Sequence, residues 1–318
     1  MNVRTIARFS LLAMALPACR TTSVAGQTGE LPLKPIFGPV VSSEVIGGRQ
    51  DDGEGVWLLV GGTSLVHIDV AARSARRVAI PLPPGEQCWS LARLQDGSLW
   101  TLKGRDTLIQ LDRTGAIGKT ITLSEPHLGV FGAANRLVYQ RARLTPPSPA
   151  LSVGEPGGAA AVPWSEMTTR PFDRLARGSA MALNMVACGG SATDERPCWF
   201  PDEGAVSLID PQGSTRRVVL PGLTVVPPEV LLAADNPARP VRDAYVDRKG
   251  RIWVVSSGTA PRGESDRPGG WILARYSRDG APDGMVRLQE PVRLILRVDG
   301  DRASVLSGSG HVAEVSPW

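Results

Sequence analysis

The sequence predicts an all-β fold, a six-bladed β-propeller, from its composition and from an internal repeat. The 318 residues include 35 Gly and 27 Pro, and short apolar runs alternate with Gly, Pro, Asp or Ser. Short runs separated by turn residues are typical of strands. A segment with a bulky marker residue returns six times, about every 40–60 residues, which suits propeller blades with insertions. We therefore expect residues 31–318 to form one propeller.

Each copy of the repeat has the pattern of four strands. The clearest copies, residues 55–83 and 98–126, contain an apolar strand with Trp, a turn, an alternating strand, a polar turn and a last strand. An apolar stretch before each marker, such as "WSLARL", supplies the inner strand. A four-stranded sheet buries both faces only against neighbouring blades, so the markers should pack between blades. The six markers are Trp57, Trp100, Tyr139, Trp199, Trp253 and Val305.

The last copy, from residue 292, has the pattern of only three strands before the sequence ends at Trp318. The early segment "TGELPLKP" (residues 28–35) is similar to the ends of other blades, such as "GKTITLSEP". We therefore predict that Leu31–Leu33 supplies the missing outer strand and closes the ring. Closure would pair edges that the first and last blades otherwise expose.

The N-terminus has the pattern of a secretion signal that ends in a lipidation site. Arg4 and Arg8 precede an apolar run from Phe9 to Leu16, which is too short for a permanent membrane span. "LPAC" at residues 16–19 resembles the bacterial lipobox, in which cleavage precedes an acylated cysteine; a plain signal peptide is the alternative. We predict a signal peptide over residues 1–18, acylation of Cys19 and a flexible tether over 19–30. The expected location is the bacterial cell envelope, lipid-anchored at the outer membrane or facing the periplasm.

Charge gives no argument for a nucleic-acid partner. The formal net charge is +4, and it falls to +2 when Arg4 and Arg8 are removed with the targeting segment. The basic residues are scattered rather than clustered with aromatics. The expected partners are a small ligand or an envelope protein, and we expect a monomer.

Export permits disulfides, and three cysteines remain after Cys19. Cys188 and Cys198 flank nine residues of turn composition, "GGSATDERP", so we predict that these two pair. Cys88 is then a free thiol, and we expect it to be a small buried apolar residue. The chain has no CxxC or Cys/His spacing typical of zinc sites.

One face of the propeller is expected to carry the ligand site. The loops between blades and those between second and third strands share that face, and the inner strands line the channel. The longest insertions, residues 143–158, 223–240 and 256–270, belong to the same face, where loops bind ligands or simply vary. The starts of the predicted inner strands give six ligand-face candidates: Glu44, Gln87, His127, Asp173, Asp243 and Arg293.

The turn before the second strand reads Asp96-Gly97-Ser98-Leu99-Trp100 in a shortened form, and it runs from Asp247 to Trp253 in full. This turn resembles that of NHL-type and streptogramin-lyase-like propellers and of six-bladed propeller lipoproteins of bacteria. The resemblance covers residues 31–318 at the level of the blade pattern. It implies a lyase as one alternative, and His127 is then the candidate channel histidine.

Gluconolactonase-like propellers hold a divalent metal in the channel through an early Glu, an Asn and a later Asp. Glu44, Asn184 and Asp243 follow that order and fall on predicted inner strands. The resemblance implies a hard cation such as Ca²⁺, which would polarise a lactone carbonyl in a hydrolase.

Our first functional hypothesis is a binding module, because the sequence has no G-x-S-x-G, P-loop or H-E-x-x-H motif. The alternative is a channel-metal hydrolase or a lyase.

Overall fold

The computed structural model describes residues 30–42, 46–133, 135–142, 146–156, 162–172, 177–223, 225, 227, 231–232, 239–258 and 269–317. The strands form six sheets, one for each predicted blade. Within these residues no helix is long and apolar enough to cross a membrane. Glu44, Asp173, Cys19 and the predicted signal peptide lie outside the described residues, as does most of the insertions at residues 223–240 and 256–270.

The first strand along the chain, β1 (Lys34–Phe37), belongs to the last blade. Blades one to three then follow in order. Blade one comprises β2 (Ile46–Asp51), β3 (Val56–Val60), β4 (Ser64–Asp69) and β5 (Ser74–Ala79). Blade two comprises β6 (Cys88–Arg93), β7 (Leu99–Lys103), β8 (Thr107–Leu111) and β9 (Ile117–Thr122). Blade three comprises β10 (His127–Ala133), β11 (Arg136–Arg141), β12 (Leu151–Gly154) and β13 (Val162–Pro163).

Blades four to six complete the ring. The helix α1 (Arg177–Leu183) precedes blade four, which comprises β14 (Ala187–Cys188), β16 (Arg196–Trp199), β17 (Ala205–Ile209) and β18 (Thr215–Val219). Between β14 and β16 lies β15 (Gly190–Ser191). Blade five comprises β19 (Arg239–Val246), β20 (Ile252–Gly258), β21 (Gly269–Tyr276) and β22 (Pro282–Leu288). Blade six comprises β23 (Val292–Asp299), β24 (Arg302–Ser307), β25 (Val312–Val315) and β1.

The hydrophobic core lies between the blades. Each of six buried clusters joins two neighbouring blades, including one that joins blade six to blade one and so closes the ring. All six marker residues are buried on second strands and belong to these clusters, as the repeat predicts. Trp253, for example, is fully buried between blades five and six.

The repeated turn is structural, because its aspartate accepts hydrogen bonds both from the backbone of the turn and from the buried tryptophan. Oδ1 of Asp247 accepts the backbone N–H groups of Lys249 and Arg251 at 2.9 Å each, and its Oδ2 accepts Trp253 Nε1–H at 3.1 Å. Asp52 does the same for Trp57 at 2.9 Å. In the shortened turn of blade two, the hydroxyl of Ser98 accepts Trp100 Nε1–H instead, at 3.1 Å. Each turn therefore satisfies an indole N–H that would otherwise be buried without a partner.

The ring is closed by an N-terminal strand, but the predicted bounds of that strand were wrong. The outer strand of blade six is Lys34–Phe37, which pairs with β25 in the register Lys34↔Glu314. Leu31 instead forms a parallel bridge with Leu288 at the outer edge of blade five, and Leu33 packs in the core between blades five and six. Pro35 fits in the true closing strand because proline, which lacks an N–H group, is tolerated on an outermost strand.

Blade four departs most from the predicted pattern. The apolar run "MALNMVA" was expected to be an inner strand that includes Asn184, but α1 ends at Leu183 and Asn184 follows it. A short apolar run fits a strand or a helix equally well, so the pattern alone does not decide between them. The true inner strand, β14, has only two residues. The predicted disulfide is confirmed, since Cys188 is bonded to Cys198 across β14 and β16, and Cys88 is free and buried.

Candidate functional site

The segment between the two bonded cysteines enters the central channel, and we call residues 189–197 the channel loop. Its strand β15 pairs in parallel with β19 and also contacts β2 and β23, so it lies against the inner strands of three blades. The Ala192 amide donates to the Val246 carbonyl at 2.8 Å. A Cβ atom on Gly189 would collide with the backbone of Ala244. The channel loop is therefore packed tightly inside the channel, and glycine is required at its start.

The channel loop separates an upper cavity from lower ones. The upper cavity, of about 280 Å³, lies among the inner strands of all six blades on the face where those strands begin. Two lower cavities of about 490 and 470 Å³ lie at the opposite face, and Thr193 and Asp194 of the loop line both. Arg196 of the channel loop lines the upper cavity and also the lower cavity of about 470 Å³, so the loop lies between the two. The upper cavity opens toward the loop-rich face.

An ion pair between blades lies in the wall of the upper cavity. Arg49 Nη1 lies 3.0 Å from Asp243 Oδ2, and both side chains are about 95% buried. The same Asp243 oxygen accepts the backbone N–H of Ile295 at 2.6 Å, and Arg49 Nη2 lies 3.5 Å from Asp51 Oδ1. Burial alone lowers the pKa of Arg49, but the two carboxylates raise it above its ordinary value. Asp243 is thus already paired with Arg49, and its contacts link blades one, five and six.

Two other arginines in the cavity wall have no such partner. Arg196 Nη2 donates to Gln50 Oε1 at 3.5 Å, and its guanidinium carbon lies 5.8 Å from the Phe131 ring centroid. Arg242, nearer the mouth, lies 5.5 Å from the Trp271 ring centroid. Within the part of the chain that the structure describes, neither guanidinium has a carboxylate within 4.0 Å. Burial lowers the pKa of Arg196 and of Arg242.

Apolar side chains form the rest of the upper cavity. Trp89 and Met185 are 56% and 41% exposed, respectively, which is unusual for such large apolar residues and places an apolar rim at the mouth. Leu128, Phe131 and Leu294 lie in the wall. A concave site with mainly apolar walls and a few fixed polar groups is typical of small-molecule sites.

The predicted ligand-face residues do not all meet at this cavity. Asp243 lines it, whereas Gln87 is exposed on the same face outside it. Arg293 lies outside the cavity wall and donates to the Gly308 carbonyl at 2.8 Å. Glu44 and Asp173 lie outside the described residues.

His127 points between blades rather than into the cavity. It is 5% exposed, and its ring lies 5.0 Å from that of Tyr139, the marker of its blade. Its Nε2 lies 4.0 Å from Glu125 Oε1. Burial lowers the pKa of His127, and the Glu125 carboxylate opposes that shift. Packing against the core fits the position of a structural histidine.

Asn184 is held in a hydrogen-bond network away from the cavity. Its Oδ1 accepts the Arg170 N–H at 2.8 Å, and its Nδ2 donates to the carbonyls of Arg170 and Ala180 at 3.0 and 3.1 Å. Arg170 in turn forms a two-point ion pair with Asp202, with distances of 2.7 and 3.0 Å. The amide of Asn184 is thus used in fixing the end of α1. Among the described residues, no three His, Cys, Asp or Glu side chains form a group fit for a metal ion.

Sequence reasoning missed Arg49, Arg196, Arg242 and Trp89. A signal existed, because Arg49, Arg242 and Trp89 are polar or bulky residues on predicted inner strands, where small or apolar residues would suffice for packing. Arg196 had no such signal, since it lies in the channel loop, whose path depends on the disulfide.

Comparisons with known proteins support the fold alone. No protein-family model and no curated protein sequence matches the chain. Among solved structures, the chain is similar to a member of the DUF4221 family from Bacteroides vulgatus, with 9% identity, a TM-score of 0.56 and coverage of 89% of this chain and 94% of that one. It is also similar to a calcium-binding protein, regucalcin, from Agrobacterium tumefaciens, with 13% identity, a TM-score of 0.52 and coverage of 90% and 94%.

The chain is therefore a six-bladed β-propeller, as its repeat predicts. This fold is consistent with the resemblance of its turns to those of streptogramin-lyase-like propellers. Identities of 9% and 13% do not transfer an activity, because one propeller fold hosts many unrelated functions.

Proposed function

We propose that the protein is an exported, lipid-anchored binding protein whose propeller holds a small ligand in the upper cavity. The observation that carries this proposal is the cavity itself. It opens at the loop-rich face, the channel loop bounds it below, and its walls are mainly apolar with a few polar groups. Asp243, the acidic residue among the described residues of its wall, is already paired with Arg49, so it is poorly placed to act as a free base.

A cavity-filling variant tests where the ligand binds. Gly129 lines the upper cavity, and a Cβ atom there would meet nothing closer than Gln140 Oε1 at 3.9 Å. Gly129→Leu should therefore fold normally while its side chain occupies the cavity. Gly118→Leu, on the outer strand β9, is the matched control, with its nearest neighbour at 3.6 Å.

The measurement is a thermal-shift screen of the full-length chain in detergent against acids, bases, sugars and amides. A ligand that binds the native state raises Tm in proportion to its occupancy. We expect the screen to find compounds that raise the Tm of the wild type and of Gly118→Leu but leave the Tm of Gly129→Leu unchanged. Equal shifts in all three proteins would place the ligand site elsewhere.

The proposed lipid anchor rests on the "LPAC" segment and has its own test. Cys19→Ala removes the only thiol that the lipobox would acylate, so the variant should lose lipid labelling and leave the membrane fraction. Cys88→Ala is the control, because that thiol is buried in the propeller. Unchanged processing and fractionation of Cys19→Ala would show that the segment is a plain signal peptide or none.

A further inference from the structure

Among the described residues, two of the three arginines that line the upper cavity have no carboxylate in contact with them. Asp243 and Arg49 pair with each other at 3.0 Å. Arg196 and Arg242 line the same cavity, and in the described parts of the chain neither has a carboxylate within 4.0 Å. Asp51 acts on Arg196 only from beyond contact distance, while Arg49 repels it. Among the described residues, the three arginines at the cavity therefore outnumber the two carboxylates in contact with them, Asp51 and Asp243.

A guanidinium held deep in a channel without a counter-charge is destabilising. Arg196 has one long hydrogen bond, 3.5 Å, to a neutral amide oxygen in place of an ion pair. Its side chain is partly accessible, and it borders both the upper cavity and the lower cavity of about 470 Å³. An anion that enters from the mouth would supply the missing partner, and the planar fork of arginine matches a carboxylate with two parallel hydrogen bonds.

The rest of the cavity favours an apolar body on that anion. Trp89 and Met185 form the exposed apolar rim, and Leu128, Phe131 and Leu294 continue it into the wall. A bare inorganic anion would leave this surface in contact with water. A ligand with a short aliphatic or aromatic body would cover it, at about 25 cal/mol for each Å² of apolar surface removed from water.

We propose that the upper cavity binds a small organic carboxylate, with its carboxylate on Arg196 and its apolar body along Trp89 and Met185. Arg242 at the mouth attracts the anion, so it raises the association rate more than it raises the affinity. This inference rests on the proposed function, since it names the ligand class for the same cavity.

The test compares carboxylates with their neutral amides on the full-length chain. Benzoate and hexanoate are titrated by calorimetry beside benzamide, hexanamide and inorganic phosphate. We expect both carboxylates to bind at least tenfold more tightly than their amides, and phosphate to bind more weakly than either carboxylate. Arg196→Met should weaken carboxylate binding at least tenfold and leave amide binding unchanged, whereas Arg196→Lys should retain part of the affinity.

Further variants separate the two arginines from a general effect of charge. Arg242→Met should slow association a few-fold and reduce its salt dependence. Arg302→Met, at an exposed position on β24, is the charge-matched control and should bind as the wild type does. If Arg196→Met does not fold, Arg196→Gln, which keeps hydrogen-bonding capacity without charge, replaces it.

The results can refute the assigned ligand class and the proposed function separately. Equal affinity for benzoate and benzamide, or carboxylate binding that Arg196→Met leaves intact, would overturn the carboxylate assignment. Tighter binding of phosphate than of either carboxylate would overturn the carboxylate assignment as well. If neutral compounds from the thermal-shift screen bind in a manner blocked by Gly129→Leu while no carboxylate binds, the proposed function stands and the ligand class is wrong. If no compound of either set binds, both fail.

Discussion

Blade two and blade four connect their inner and second strands in contrasting ways. In blade two, β6 ends at Arg93, β7 begins at Leu99, and a tight turn closes with hydrogen bonds between Leu94 and Ser98 and between Gly97 and Leu94, each 3.0 Å. In blade four, the same connection becomes the channel loop, bounded by a disulfide and packed against three inner strands. One connection finishes a blade, and the other forms the lower boundary of a cavity.

The two connections also use glycine for different reasons. Gly97 has a φ of 85°, a backbone conformation that other residues rarely adopt, but open space surrounds it, with Arg113 Nη2 at 3.7 Å as the nearest group. Gly189 is needed for lack of space, because the backbone of Ala244 in the next blade occupies the place of a Cβ. Gly97 is thus needed for its positive φ, whereas Gly189 is needed because the channel loop contacts the next blade too closely to leave room for a Cβ atom.

The largest predicted effect follows from that close contact. Gly189→Ala places a methyl group against backbone that cannot move aside as a side chain would, so we expect a loss of about 3 kcal/mol or more in the free energy of unfolding. Gly97→Ala should lose about 1 kcal/mol, from strain at a positive φ in open space. Urea unfolding of both variants, followed by tryptophan fluorescence, measures the two losses.

This explanation of the two glycines would be contradicted if Gly97→Ala were more destabilised than Gly189→Ala. It would also be contradicted if Gly189→Ala unfolded as the wild type does, because the channel loop would then have room to shift. Gly53→Ala is a further control, since its φ is 83° and nothing lies within 4 Å of the added Cβ. It should behave as Gly97→Ala does.

The same contrast explains how much of the molecule could be predicted from sequence. The blades repeat a local pattern of apolar strand, Asp or Ser, Gly and Trp, and local patterns can be read directly from the order of residues. The cavity depends on residues far apart in sequence, such as Arg49 and Asp243, 194 positions apart. Which inner-strand side chains meet across the channel depends on how six blades close, and no local pattern contains that information.

Blade four shows why the sequence pattern placed Asn184 on an inner strand wrongly. The metal hypothesis required Asn184 to lie on an inner strand, but Arg170 and the end of α1 hold its amide outside the cavity wall. Only two residues of β14 remain to pair in the sheet of blade four, and the chain then enters the channel, where β15 pairs with β19 of blade five. The disulfide was predictable because its two cysteines lie close in sequence and flank a segment of turn composition.

A smaller effect is expected when the disulfide is removed. Replacing Cys188 and Cys198 by Ala together should cost about 2 kcal/mol, near the lower end for natural disulfides, because the closed loop is short and stays attached by other bonds. Those bonds include the donation from the Gly189 amide to the Pro197 carbonyl and from Ala192 to Val246, both at 2.8 Å. The change should act mainly on the channel loop, whose backbone loses the restraint at both ends.

Hydrogen exchange measures this local effect apart from global stability. The amides of Gly189 and Ala192 should exchange faster in the double variant, while those of β7 in blade two keep their wild-type rates under native conditions. Cys88→Ala is the matched control: that thiol is also buried, and its loss should lower global stability without selective exchange in the channel loop. Unchanged exchange at Ala192 in the double variant would mean that packing against β19 alone fixes the loop, and the disulfide would then have no part in bounding the upper cavity.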